Sequence, residues 1–119
     1  MSRPIVLILG SSGFIGQAIQ RELNAKYDFI SVDLNPNAFN EASSIAHHIV
    51  DQGNPDQVER LLTALKPYAD QLAGVIHLTA YYDFRNKADK RYTQLEETFP
   101  QLLEGLDALL PAGRPILHS

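Results

Sequence analysis

The chain has 119 residues, of which 45% are apolar and 20% charged, a balance that fits one globular domain and argues against disorder. Its formal charge of −4, without a basic cluster, speaks against a nucleic-acid backbone or an anionic membrane as partner. Cysteine is absent, which excludes disulfides, thiolate metal sites and a cysteine nucleophile.

The chain opens on an apolar run, Ile5 to Leu9, that is too short for a signal peptide's core, and no stretch approaches the ~20 apolar residues of a membrane span. A cytoplasmic protein is expected. The run reads as a central parallel strand covered on both faces. It leads into Gly10-Ser11-Ser12-Gly13-Phe14-Ile15-Gly16. An amphipathic segment follows, with Ile15, Ala18, Ile19 and Leu23 at helical spacing and Gln17, Gln20, Arg21 and Glu22 assigned to its solvent side. Asp28–Asp33 reads as the second strand. The polar segment after it, containing Asn35-Pro36-Asn37, reads as a loop beside a ligand. A short third strand is expected over Ala46–Val50, ending at Asp51. Asn54 then caps a helix with Pro55 at its first position; Val58, Leu61, Leu62 and Leu65 form its inward face, and Pro67 ends it. A fourth strand is expected over Leu72–Thr79, followed by the aromatic segment Tyr81-Tyr82-Asp83-Phe84. From Ala88 to Leu110 the apolar residues keep a helical period. Pro100 interrupts it and predicts a kink or two shorter helices. Arg114–Ser119 begins a fifth strand.

Strands alternating with helices predict an α/β fold: a doubly wound parallel sheet of Rossmann type, strand order 3-2-1-4-5, occupying residues 1–119 and cut short at strand 5. The ligand then belongs at the switch point between strands 1 and 4.

The glycine turn between strand and helix is what a dinucleotide pyrophosphate requires. Gly10 supplies backbone angles closed to residues with a Cβ, Gly13 admits the phosphates, and Gly16 lets the helix sit close on the strand. The first-turn N–H groups of the helix face the anion. Asp33 ends the second strand 23 residues beyond Gly10, where a carboxylate grips the adenosine ribose hydroxyls; its competing role is that of a turn residue. Leu34, Asn35 and Pro36 supply no cation for a 2′-phosphate, so NAD is favoured over NADP. Ser11 and Ser12 either donate to phosphate or fill the turn. His77, inside an apolar strand, reads as a hydrogen-bonded core histidine. His47 and His48 point to opposite faces of a strand and cannot chelate one ion together, so no metal site is expected.

With these residues in place, the chain resembles the extended short-chain dehydrogenase/reductase family, specifically its NAD-dependent epimerase/dehydratase group. Gly10 to Gly16 matches the family's glycine pattern, including the Phe14-Ile15 pair, and Val32-Asp33-Leu34-Asn35 is similar to its strand-2 ending. The resemblance places Asp51, with Gln52 beside it, at the adenine, although Asp51 also suits a turn ahead of Asn54. It assigns Leu78, Thr79 and Ala80 to the strand-4 segment, and Tyr81 to the nicotinamide side. The implied chemistry is hydride transfer between a bound nicotinamide and a sugar-like alcohol or ketone. The family's Tyr-x-x-x-Lys pair is not found: none of Tyr27, Tyr68, Tyr81, Tyr82 and Tyr92 has lysine four residues on. Its Asn-Val-x-Gly-Thr segment is also missing, and Ser119 lies at or just before the usual catalytic serine, so no catalytic residue is assigned. The expected function is NAD binding by the N-terminal half of such an oxidoreductase, with a small-molecule substrate only in a longer chain and a homodimer among the possible assemblies. The alternatives are a non-catalytic, redox-sensing NAD(P) module and a structural nucleotide fold for another phosphate ligand.

Overall fold

The computed structural model describes residues 3–11, 14–36, 43–78 and 90–118, with the backbone alone at 90–99 and 118. Strands β1 (Ile5–Leu9), β2 (Asp28–Asp33), β3 (Ser44–Ile49), β4 (Leu72–His77) and β5 (Ile116–His118) form a parallel sheet in the order β3-β2-β1-β4-β5. The order is the doubly wound one expected from the sequence. Helices α1 (Phe14–Leu23), α2 (Pro55–Leu65) and α3 (Lys90–Leu109) supply the crossovers, and a 3-10 segment, Lys66–Gln71, carries the chain from α2 into β4.

Successive side chains of a strand point to opposite faces, and β1 uses both. Ile5, Leu7 and Leu9 share a core with Val58, Leu61 and Leu65 of α2 and with Leu102 and Leu106 of α3. Val6 and Ile8 join Phe29 on the other face, against Ile19 and Leu23 of α1. This two-sided cover is why β1 reads as an unbroken aliphatic run.

The inward face of α1 is rotated from the expected one. Ile15 and Ala18 are exposed, whereas Gly16 and Gln20 are buried, with Ile19 and Leu23 partly so. Gln20, assigned to the solvent side from its polarity, is fully buried. The reason is Gly16. A helix face drawn against a strand by a glycine carries the residue four positions on to the same side.

Other departures lie at element ends. β3 starts and stops earlier than expected, because its last pair is Asp33 with Ile49, and β2 goes no further. β4 ends at His77, and β5 is shorter than expected, being preceded by a turn in which Arg114 N–H donates to Pro111 O at 3.1 Å and Gly113 has φ 84°. α3 runs through Pro100 as one helix, so the division into two does not occur. Pro100 is exposed, while Leu102 and Leu106 are buried against α2. An interior proline costs about 3 kcal/mol, and two fully buried leucines return a similar amount or more, at about 1.5–3 kcal/mol each. α2 follows the sequence closely: Asn54 Oδ1 accepts from Asp56 N–H at 3.0 Å and Gln57 N–H at 3.2 Å, with Pro55 next in the chain.

Candidate functional site

The strand order reverses at β1, since the chain leaves it for β2 on one side and later reaches β4 on the other. In such sheets a crevice opens beyond the carboxyl ends of the strands at that point. The residues that leave those ends are knitted together by main-chain hydrogen bonds. The Val32 carbonyl accepts from Gly10 N–H at 2.8 Å and Ser11 N–H at 3.3 Å, and the Ser11 hydroxyl lies 3.5 Å from the same oxygen. The Leu9 carbonyl accepts from Leu78 N–H at 2.8 Å, and the Asp33 carbonyl from Val50 N–H at 3.0 Å. The ends of β1, β2, β3 and β4 are therefore tied into one rim.

Two glycines shape the turn after β1. Gly10 has φ 91°, a left-handed conformation in which a Cβ would crowd the backbone. Gly16 abuts the turn itself, for a Cβ there would meet Gly10 O at 2.6 Å and Ser11 O at 2.7 Å. Behind them Gln20 Nε2 donates to Ser11 O at 3.1 Å and Gly16 O at 3.2 Å. Ser11 is buried, its hydroxyl directed back toward Val32, so it fills the turn. Phe14 and Ile15, at the start of α1, are exposed.

At the end of β2, Asp33 Oδ1 accepts from Asn35 N–H at 3.0 Å and from Asn35 Nδ2 at 3.3 Å, fixing one carboxylate oxygen by a local turn. The next β-strand buttresses this turn. His47 Nε2 lies 2.9 Å from Asn35 O, and His47 Nδ1 lies 2.7 Å from Ser31 Oγ. A carbonyl can only accept, so Nε2 donates to Asn35 O, while the Ser31 hydroxyl faces both His47 Nδ1 and the Ala46 carbonyl, the latter at 3.3 Å. Leu34 and Asn35 are exposed beside it.

Beyond β3, Asp51 Oδ1 accepts from Gly53 N–H at 2.9 Å, and its backbone N–H donates to Gln57 Oε1 at 2.8 Å. Gln52 is buried, with Oε1 3.2 Å from His77 Nε2. His77 is thus a hydrogen-bonded interior histidine, and the pair ties the β3–α2 turn to the end of β4.

Of the residues singled out in the sequence, Gly10, Phe14, Ile15, Gly16, Asp33, Leu34, Asn35, Asp51, Gln52 and Leu78 lie in the turns and element ends around this rim. Ser12, Gly13, Thr79, Ala80 and Tyr81 fall outside the described residues. Sequence reasoning missed Gln20, Ser31 and His47. The first carried a signal, its spacing from Gly16; the other two meet across neighbouring strands, which no local pattern reveals.

His48 points away from His47 and lines a groove of about 460 Å³ with Gln57, Arg60 and Leu61 of α2. Burial lowers its pKa below the ordinary 6.5, and the neighbouring His47 charge adds to the effect. Among the described residues no three His, Asp or Glu side chains gather as a metal site would require.

Residues 6–109 match the model of the NAD dependent epimerase/dehydratase family. The chain belongs to that family. No curated protein sequence matches it. Among solved structures, it is similar to a short chain dehydrogenase family protein from Francisella tularensis, at 19% identity and TM-score 0.74 over 99% of this chain and 51% of that one. It also resembles the Bordetella bronchiseptica enzyme WbmF, solved with NAD+ and UDP, at 18% identity and TM-score 0.70 over 98% of this chain and 35% of that one. A third is a Leptospira borgpetersenii short chain dehydrogenase with bound NAD+, at 17% identity and TM-score 0.64 over 92% of this chain and 45% of that one. The chain spans about half the length of the first of these, and at such identities the likeness is one of fold. Among the described residues no helix is long and apolar enough to cross a membrane.

Proposed function

We propose that the chain binds NAD as the cofactor-binding part of an oxidoreductase that acts on a nucleotide-sugar or a similar alcohol or ketone. The observation that carries this reading is the Val32 carbonyl, which holds the glycine turn and the strand end bearing Asp33 together through Gly10 and Ser11. A pyrophosphate needs backbone amides at a turn without side chains in its way, and a ribose needs an acceptor at a fixed distance from them. The left-handed Gly10 and the absence of room for a Cβ at Gly16 fit the first need, and the Asn35-braced Asp33 fits the second. When bound, NAD would supply a hydride acceptor; the residues here bind and orient it. The NAD+ and UDP in the Bordetella enzyme support the substrate class.

The test is a pair of titrations. The Asp33 carboxylate accepts from ribose hydroxyls in NAD but faces a dianion in NADP, so the wild type should prefer NAD. Hydrogen bonds to a charged group contribute about 1.5–3 kcal/mol, so Asp33→Ala should weaken NAD roughly ten- to a hundredfold. NADP binding should stay equal or improve. Wild-type affinity for NADP matching that for NAD, or an equal loss of both on mutation, would remove Asp33 from the site.

A further inference from the structure

Gln20 is an unusual occupant of its position. It lies on the face of α1 that packs on the sheet, is fully buried, and has Ile19 and Leu23 as partly buried neighbours on the same face. Its Nε2 donates to Ser11 O and Gly16 O, while Oε1 is buried without a hydrogen-bond partner among the described residues. The amide cannot be turned over to relieve this, because the oxygen would then oppose two carbonyls. A leucine or methionine would fill the same space without desolvating an unpaired acceptor. What glutamine does and those residues cannot do is hold the Ser11 carbonyl inward.

That carbonyl belongs to the glycine turn. Ser11 is thereby held at both of its peptide groups: its N–H donates to Val32 O at 3.3 Å, and its carbonyl accepts from Gln20 Nε2 at 3.1 Å. We propose that Gln20 is a positioning residue for the dinucleotide site, holding the Ser11 carbonyl behind the glycine turn and so fixing the main-chain path out of Gly10. The inference rests on the dinucleotide reading above. Preorganised amides bind an anion without the cost of reorienting at the moment of binding, and the unpaired Oε1 accompanies that arrangement.

The experiment compares the wild-type chain with Gln20→Met and Gln20→Glu, measuring NAD dissociation constants and thermal unfolding on the same samples. Gln20→Met removes both donors at similar length. In folded protein, well below the unfolding temperature, NAD should bind about two- to tenfold more weakly, the range of one or two neutral hydrogen bonds. Gln20→Glu can donate only while protonated. Its affinity relative to wild type at the same pH should therefore recover as pH falls through the carboxyl's titration, and Gln20→Met should show no such recovery. Folded Gln20→Met with wild-type affinity, or a Glu variant whose relative affinity is independent of pH, would make Gln20 a packing residue only and overturn the inference. Wild-type protein that binds neither NAD nor NADP would overturn the dinucleotide reading itself, and this inference with it.

Discussion

Gly16 has no room for a side chain. Its nearest neighbours are the main-chain atoms of Gly10 and Ser11, which cannot swing aside as a side-chain tip can. Gly16→Ala should therefore destabilise the chain by about 1–3 kcal/mol, as overpacking does, and should weaken NAD because the atoms displaced belong to the turn. Gly113 provides the control. It too has positive φ, but a Cβ there meets open space. Gly113→Ala should cost about 1–2 kcal/mol of backbone strain and leave NAD affinity unchanged in folded protein. Denaturant unfolding and NAD titration of both variants check this; equal effects on binding would show that the turn is not the site. The positive φ of Gly10, the close approach at Gly16 and the strand end at Asp33 were legible in the sequence because they depend on local neighbours. The hydrogen bonds of Ser31, His47 and Gln52 were not. The Ser31–His47 and Gln52–His77 pairs join residues 16 and 25 positions apart, through sheet register and turn packing that single-chain periodicity does not contain.

Element by element, the sequence was most readable where one residue type dictates a boundary. Asn54 and Pro55 marked the start of α2, and the structure shows both capping hydrogen bonds. Asn54→Ala removes the acceptor of both. It should cost about 1 kcal/mol, within the usual 0.5–2 kcal/mol for a lost N-cap. Asn54→Asp, which keeps an acceptor, should restore most of that, and urea unfolding midpoints would measure both. No loss in the alanine variant would mean that helix packing alone fixes this end. Elsewhere the readable signal was overruled. Hydrophobic spacing placed Ile15 and Ala18 inward on α1, yet close approach through Gly16 turned the helix so that Gln20 took that side. Pro100 signalled a break, yet the packing of Leu102 and Leu106 on α2 outweighed it.

For the whole molecule, the unbroken burial of β1 on both faces fixed the layering and the parallel strands fixed the crevice, so the architecture was legible from hydrophobic pattern alone. Titration behaviour was not, because it depends on which histidine the packing of β3 buries. His48 sits opposite Val32 in the sheet register and beside Gln57, Arg60 and Leu61 of α2. Burial first, and the adjacent His47 second, hold its pKa below 6.5. An unfolded chain protonates this histidine near the ordinary value, whereas the folded chain resists. Below that value the unfolded state therefore binds more protons, and its share of the equilibrium grows. The stabilising contribution of neutral His48 is complete above the ordinary value and is lost as pH falls toward the depressed folded value. His48→Gln, which keeps a polar side chain but cannot titrate, should flatten that part of the profile. Urea unfolding at about pH 8 and about pH 5.5, on either side of the ordinary histidine pKa, would show the wild type losing more stability than the variant. An identical loss in both proteins would place the acid sensitivity in some other group.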